Sequence, residues 1–127
     1  MDGNTLKKLL IVEDDKSLCA ALEERFKEEG FFVLAALDGK TGLNLALKNK
    51  PDLILLDIVL PKLNGLDLLK KLRQDVWGKK ARVILLTNLS ADDKIMKAVA
   101  ELEPSYYLIK TDWRLDDIVQ RVKKTLE

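Results

Sequence analysis

The sequence contains no histidine and only one cysteine. Without histidine, the chain lacks the usual general base, the usual zinc ligand and any phosphohistidine of its own. The single cysteine, Cys19, excludes an internal disulfide, and its place among Leu18, Leu22 and Phe26 at helical spacing predicts a core position. The sequence therefore argues against a zinc enzyme, histidine-based catalysis and a disulfide framework.

Long apolar runs and an excess of one charge are also missing. No stretch approaches the ~20 apolar residues of a membrane helix, and residues 1–5 contain no apolar signal core. Lysine and arginine total 22 against 21 aspartates and glutamates, so the basic footprint of a nucleic-acid binder is absent. No glycine-rich phosphate loop follows the first apolar run. We therefore expect a cytoplasmic protein with no membrane partner, no direct nucleic-acid partner and no nucleotide site.

The chain has the size and composition of one globular domain. Its 127 residues are 47% hydrophobic and 34% charged, which predicts a single domain over residues 1–127 with a core of about 7–126. Five short apolar runs alternate with five segments of helical periodicity, and this alternation predicts a doubly wound α/β sandwich with a parallel sheet. The runs are residues 9–12, 31–36, 53–56, 81–86 and 106–109.

Polar residues stand where four of these runs end. Glu13 and Asp14 follow the first run, Asp57 the third, Thr87 the fourth and Lys110 the fifth. In open α/β sheets, ligands bind outside the carboxyl ends of the strands. If the first, third and fourth strands are neighbours, several carboxylates share one crevice, and a bound hard cation such as Mg²⁺ relieves their repulsion. A carboxylate nucleophile beside Mg²⁺, an ammonium and a hydroxyl form a phosphoryl-acceptor site.

Each of these residues also has an ordinary structural interpretation. Asp57 can simply end a strand and cap the segment after it, Thr87 can be a strand residue and Lys110 a solvated lysine. Asp15 is best interpreted as the N-cap of the first helix. Tyr107 is of a type that more often lies in a core or at its rim.

Taken together, the motifs resemble the receiver domain of two-component response regulators. They are residues 11–15, residues 56–65, Leu86-Thr87 and residues 107–110, which occur in the family's order over nearly the whole chain. The resemblance implies a flavodoxin-like (βα)5 fold with the strand order 2-1-3-4-5. It further implies that Asp57 accepts a phosphoryl group from the phosphohistidine of a partner histidine kinase or phosphotransfer protein.

The same resemblance implies a metal site. Asp14 and Asp57 would bind Mg²⁺ directly, Glu13 would hold it mostly through water, and the main-chain carbonyl of Val59 would supply another ligand. Mg²⁺ is therefore the expected cofactor.

The resemblance also implies how the phosphorylated state is transmitted. Lys110 would pair with a phosphate oxygen, and Thr87 would move inward to bond another, with Tyr107 following it. The changed surface would be the fourth helix, the fifth strand and the fifth helix, which would contact an unknown downstream protein. The residues expected on that surface are Lys97, Tyr107, Trp113 and Arg114. Whether phosphorylation also produces a dimer stays open.

The chain departs from the family pattern near the last two strand ends. Thr111 stands where a cis proline usually follows the lysine, and a cis bond before a non-proline residue costs about 2.5 to 4 kcal/mol, so we expect a trans bond or a rearranged loop. Asn88 follows the switch threonine where a small residue is common, and Pro104-Ser105 replaces a glycine-containing turn. We expect an altered output surface rather than lost phosphorylation.

Two apolar residues, Val59 and Leu89, flank the approach of water to the acceptor by family analogy. Neither can orient a water molecule, so we expect slow self-dephosphorylation.

These features support three candidate functions. The first is a stand-alone phosphoacceptor that acts by protein contact and is not an enzyme beyond its own phosphorylation and slow autodephosphorylation. The alternative is a pseudo-receiver that keeps the fold as an interaction module without accepting phosphate. A small Mg²⁺-dependent phosphohydrolase is disfavoured, because Val59 stands where a second catalytic carboxylate would be needed.

Overall fold

The structure, a computed structural model, describes residues 6–90 and 92–127. Over these residues five strands alternate with five helices. The strands are β1 Lys8–Val12, β2 Phe32–Ala36, β3 Leu53–Leu56, β4 Val83–Thr87 and β5 Tyr106–Ile109. The helices are α1 Lys16–Glu28, α2 Gly39–Asn49, α3 Gly65–Gln74, α4 Asp93–Leu102 and α5 Leu115–Thr125, and short 3-10 turns cover Gly78–Lys80 and Lys110–Asp112.

All neighbouring strands run parallel, in the order β2-β1-β3-β4-β5. This confirms the predicted doubly wound, flavodoxin-like (βα)5 architecture. Val12 is in register with Leu56, and Leu56 with Leu85. The residues that follow β1 and β3 therefore leave the sheet at the same edge as the end of β4, as the strand-end argument requires.

The two faces of the sheet carry separate apolar layers. Leu10 and Val12 of β1 pack in the layer formed with α2, α3 and α4, whereas Leu9 and Ile11 pack in the layer formed with α1 and α5. The alternation of side chains along a strand produces this division, and burial of both faces explains why the strands are continuously apolar. Cys19 of α1 is buried, as predicted.

Side-chain caps set the beginnings of four helices. The side chain of Asp15 accepts a hydrogen bond from the main-chain N–H of Leu18 at 3.0 Å, so its predicted role as an N-cap is confirmed. Asp38, Asn64 and Asp92 cap α2, α3 and α4 in the same way. In α4 the apolar residue Met96 is 45% exposed.

Gly65 joins the start of α3 to the main chain that carries Asp57. Its N–H donates to the carbonyl oxygen of Ile58 at 2.8 Å. A Cβ at position 65 would lie 2.1 Å from the carbonyl oxygen of Asp57. Only glycine permits this close approach of two main-chain segments, so the position of α3 fixes the backbone next to the Asp57 carboxylate.

We expect Gly65→Ala to lower the free energy of unfolding by about 2 kcal/mol or more, because the added methyl group must push a main-chain carbonyl aside. Urea unfolding measures this change. The control is Gln74→Ala, an exposed position in the same helix, where we expect a change within about 0.5 kcal/mol. A Gly65→Ala protein as stable as the control would contradict the close approach.

Candidate functional site

Three carboxylates meet at the carboxyl edge of the sheet. Glu13 and Asp14 follow β1, Asp57 follows β3, and one carboxylate oxygen from each lies within 4.8 Å of the others. Glu13 and Asp57 are buried, whereas Asp14 is exposed. The cluster combines two buried acids with one that faces solvent, and its oxygen atoms are the ligand type that hard divalent cations prefer.

The ammonium of Lys110 bridges the two buried acids. Its Nζ lies 2.7 Å from Asp57 Oδ2 and 2.5 Å from Glu13 Oε1. Burial alone would lower the pKa of this lysine, but its hydrogen bonds to Asp57 and Glu13 outweigh burial and the pKa is raised. Lys110 therefore stays charged and neutralises much of the repulsion between the two acids.

The second carboxylate oxygen of Glu13 and that of Asp57 each accept a hydrogen bond from a main-chain N–H group. Glu13 Oε2 accepts from the N–H of Asp15 at 2.9 Å, and Asp57 Oδ1 accepts from the N–H of Val59 at 3.2 Å. Burial raises the pKa of Glu13 and outweighs the opposing hydrogen bond from Lys110. Both carboxylates are thus held in fixed orientations before any ligand binds.

Thr87 and Tyr107 are connected through Leu89. Thr87 is buried, and its Oγ1 accepts from the N–H of Leu89 at 3.3 Å. The hydroxyl of Tyr107 donates to the carbonyl oxygen of the same residue at 2.6 Å. Burial, helped by the negative charge of Asp57, raises the pKa of Tyr107. A movement of the threonine hydroxyl would therefore disturb the main chain to which the tyrosine is bonded.

The loop after β5 has the predicted trans geometry. No cis peptide bond occurs among residues 6–90 and 92–127, so the bond between Lys110 and Thr111 is trans. Lys110–Asp112 forms a 3-10 turn, and the N–H of Trp113 donates to the carbonyl oxygen of Lys110 at 3.4 Å. The lysine nevertheless reaches both buried acids, so Thr111 is compatible with the arrangement that the family's proline usually supports.

These residues surround an open cleft of about 500 Å³. Its walls are formed by the strand ends and the loops that follow them. The lining residues are Glu13, Asp14, Asp15, Asp57, Val59, Thr87, Asn88, Leu89 and Lys110. Val59 is 60% exposed at the rim. Carboxylates, an ammonium and a hydroxyl thus line one cleft, and this set of groups is chemically suited to phosphoryl transfer to a protein carboxylate.

The sequence model of the response regulator receiver domain matches residues 9–123. The chain belongs to this family.

Relatives of this receiver domain include longer regulators. The alkaline phosphatase synthesis transcriptional regulatory protein PhoP of Bacillus subtilis is 36% identical over 105 residues, which are 82% of this chain and 42% of that protein. The transcriptional regulatory protein CpxR of Escherichia coli is 39% identical over 107 residues, 77% of this chain and 46% of that protein. The chain spans about half the length of the curated relatives it matches.

Solved structures agree with the family assignment. A CheY-like receiver domain protein of Methanospirillum hungatei superposes with a TM-score of 0.87 at 25% identity, covering 96% of this chain and 94% of that one. The BeF3-activated N-terminal receiver domain of Klebsiella pneumoniae RstA gives a TM-score of 0.83 at 27% identity, covering 95% and 99%. No helix within the described part of the chain is long and apolar enough to span a membrane.

The residues expected on the output surface lie outside the cleft. Lys97 on α4 and Arg114 at the start of α5 are exposed, whereas Tyr107 and Trp113 are half-buried. Tyr107 packs in the layer that contains α4, and Trp113 packs in the layer that contains α5. They therefore lie on opposite faces of the sheet, one on each side of the edge strand β5.

Sequence reasoning missed one residue of this region. The guanidinium of Arg121 on α5 lies 4.5 Å from the ring centroid of Tyr106 and 4.9 Å from that of Trp113, within the range of cation–π attraction. No local sequence pattern predicts this cluster, because its members come from a strand, a loop and a helix.

We expect Lys110→Met to lower the free energy of unfolding at pH 7 by about 2 to 4 kcal/mol, because two buried carboxylates lose the cation that bridges them. The loss should shrink at pH 5, because burial raises the pKa of Glu13 and, without the opposing hydrogen bond from Lys110, this carboxyl takes up a proton more readily in the folded state than in the unfolded state. Urea unfolding at both pH values measures this, with the exposed Lys40→Met as the control. An equal loss at both pH values would contradict an electrostatic origin.

Proposed function

We propose that this receiver domain is a phosphorylation switch in which Asp57 accepts a phosphoryl group from the phosphohistidine of a histidine kinase or phosphotransfer protein. The observation that carries the proposal is the bridge from Lys110 Nζ to Asp57 Oδ2 at 2.7 Å, beside two further carboxylates. This bridge would position the carboxylate that attacks phosphorus, and it places a cation beside the oxygens of the incoming phosphoryl group.

In the transfer step, a carboxylate oxygen of Asp57 forms a bond to phosphorus as the bond from phosphorus to the imidazole nitrogen breaks. The electron pair of the broken bond leaves with the imidazole, which takes up a proton. Lys110 is in position to keep an ionic contact with the transferred group, and Thr87 contributes a hydroxyl to it. Charge on the phosphoryl oxygens is dispersed in the transition state, so positioned countercharge is the principal contribution of these residues.

The acidic cluster fits Mg²⁺, the ion expected for the family. Three carboxylate oxygens within 4.8 Å of one another match a cation that binds a few protein oxygens and keeps water or phosphate as its other ligands. We propose Asp14, Asp57 and the carbonyl of Val59 as direct ligands, with Glu13 acting mostly through water. When bound, the ion would neutralise charge on the phosphoryl oxygens.

The contacts of Leu89 suggest how the signal leaves the site. Inward movement of Thr87 toward a phosphoryl oxygen would break its hydrogen bond with the N–H of Leu89, and Tyr107 is bonded to the carbonyl of that residue. We propose that the surface formed by α4, β5 and α5 then changes for an unknown downstream protein, with Lys97, Trp113 and Arg114 as contact residues. A phosphorylation-dependent dimer through the same surface is a second outcome of this change.

The relatives extend beyond the region matched here, and several are called transcriptional regulators. We propose that this domain itself acts in the cytoplasm through protein contacts, not by binding nucleic acid or membrane, and that its own chemistry is limited to phosphorylation and slow autodephosphorylation.

We expect incubation with acetyl phosphate and Mg²⁺ to add one phosphoryl group to the chain, detected by intact-mass spectrometry. Asp57→Ala and removal of the metal by chelation should both abolish the addition. Asp15→Asn, which changes the helix cap beside the cluster, is the matched control and should still be phosphorylated. A folded native chain that gains no phosphoryl group and does not bind Mg²⁺ would instead indicate a pseudo-receiver.

We expect the phosphorylated chain to lose its phosphoryl group slowly, because Val59 and Leu89 at the cleft cannot orient water. Val59→Asn and Leu89→Glu should each accelerate the loss by roughly tenfold or more, since each can position a water molecule for attack. The decay of the phosphorylated mass after acetyl phosphate is removed measures the rate. A native half-life of seconds, or unchanged rates in both variants, would contradict this explanation.

A further inference from the structure

Arg73, near the end of α3, binds four main-chain carbonyl oxygens. Its Nε donates to the carbonyl of Leu102 at 2.8 Å, and Nη2 donates to that of Glu103 at 3.1 Å. Its Nη1 donates to the carbonyls of Gly78 at 2.7 Å and Ala81 at 2.8 Å. One guanidinium therefore joins the C-terminal end of α4 to the connection between α3 and β4.

The C-terminal end of α4 depends on this outside cation. The last turns of α1, α2, α3 and α5 each contain a basic residue, but that of α4 contains none. A helix end carries unpaired carbonyls and a partial negative charge, which a cation stabilises. Arg73 supplies both the hydrogen bonds and the charge from a neighbouring helix.

The rest of α4 is held more lightly. Val99 is the only buried residue among residues 93–102, and it lies in the second half of the helix. In the first half only the half-buried Ile95 packs against the core and Met96 is exposed, whereas Leu102 packs beside Val99 in the second half. The first half also follows the loop that carries Leu89, to which Thr87 and Tyr107 are bonded. Packing and hydrogen bonding thus favour a fixed C-terminal end and a more easily displaced N-terminal half.

We propose that Arg73 is a positioning residue that fixes the C-terminal end of α4, so that phosphorylation at Asp57 displaces the N-terminal half of the helix about this end. The fixed end rests on the contacts of Arg73 alone, whereas the displacement rests on the proposed function. The two parts therefore need separate measurements.

Hydrogen exchange without ligand tests the fixed end. In Arg73→Gln, the amides of residues 100–103 should exchange about tenfold faster or more than in the native chain, because their helix end loses charge-assisted hydrogen bonds. Amides of β3 should keep their protection, which shows that the fold is intact. Lys71→Gln, an exposed residue in the same turn of α3, is the matched control and should exchange like the native chain. Native rates at residues 100–103 in Arg73→Gln would overturn the proposal.

Hydrogen exchange with Mg²⁺ and beryllofluoride, used as a stand-in for the phosphoryl group, tests the displacement. In the native chain the exchange rates should change at residues 93–97 and stay constant at residues 100–103. In Arg73→Gln, or in Arg73→Lys if the glutamine variant does not fold, the change should spread along the whole helix. Equal changes in exchange rate at both ends of α4 in the native chain would contradict a displacement about a fixed C-terminal end, and this result needs no variant.

Failure of the proposed function is distinguishable from failure of the proposed role of Arg73. If fluorine NMR shows no bound beryllofluoride, the proposed acceptor site and the displacement both fail, while the ligand-free comparison of Arg73→Gln with Lys71→Gln still decides whether Arg73 fixes α4. If beryllofluoride binds but the exchange rates of residues 93–97 do not change, the proposed acceptor site is supported and the displacement of α4 is contradicted.

Discussion

The contact on which the site depends is the one between Lys110 and the two buried acids, Glu13 and Asp57. Two carboxylates so little exposed to water and so close together repel each other strongly unless a cation lies between them. The ammonium supplies that cation, and the main-chain N–H groups of Asp15 and Val59 hold the second oxygens. The fold therefore orients the carboxylate that we propose as the phosphoryl acceptor before any donor would bind.

The parallel sheet makes this contact possible. Its register places the ends of β1, β3 and β4 at one edge, and β5 beside β4 brings Lys110 to the same edge. The ends of β1, β3, β4 and β5 contribute the polar residues, so four separate segments of the sequence form one cleft. The small residue Gly65 lets the start of α3 approach the backbone of Asp57 closely.

The fold and the membership of the cleft could be predicted because both follow from local patterns. Continuous apolar runs locate the strands, and the polar residue after each run must lie at the carboxyl edge of a parallel sheet. The bonds between side chains and distant main chain could not be predicted. Arg73 donates to a carbonyl at the end of α4, and Tyr107 donates to the carbonyl of Leu89. Both bonds exist because elements distant in the sequence pack together. The missing proline predicts a trans bond or a rearranged loop after Lys110, but it does not predict the 3-10 turn at Lys110–Asp112.

The two ends of α4 differ in the kind of contact that holds them. Near the cleft, Asp92 caps the helix, and the loop before it is held by single hydrogen bonds between Leu89 and the side chains of Thr87 and Tyr107. At the far end, one guanidinium binds two carbonyls at the end of α4 and, at the same time, two carbonyls of the connection between α3 and β4. Under the proposed function, a helix held in this way would turn about its C-terminal end, and a change of hydrogen bonding at Thr87 would then alter the surface that α4 presents.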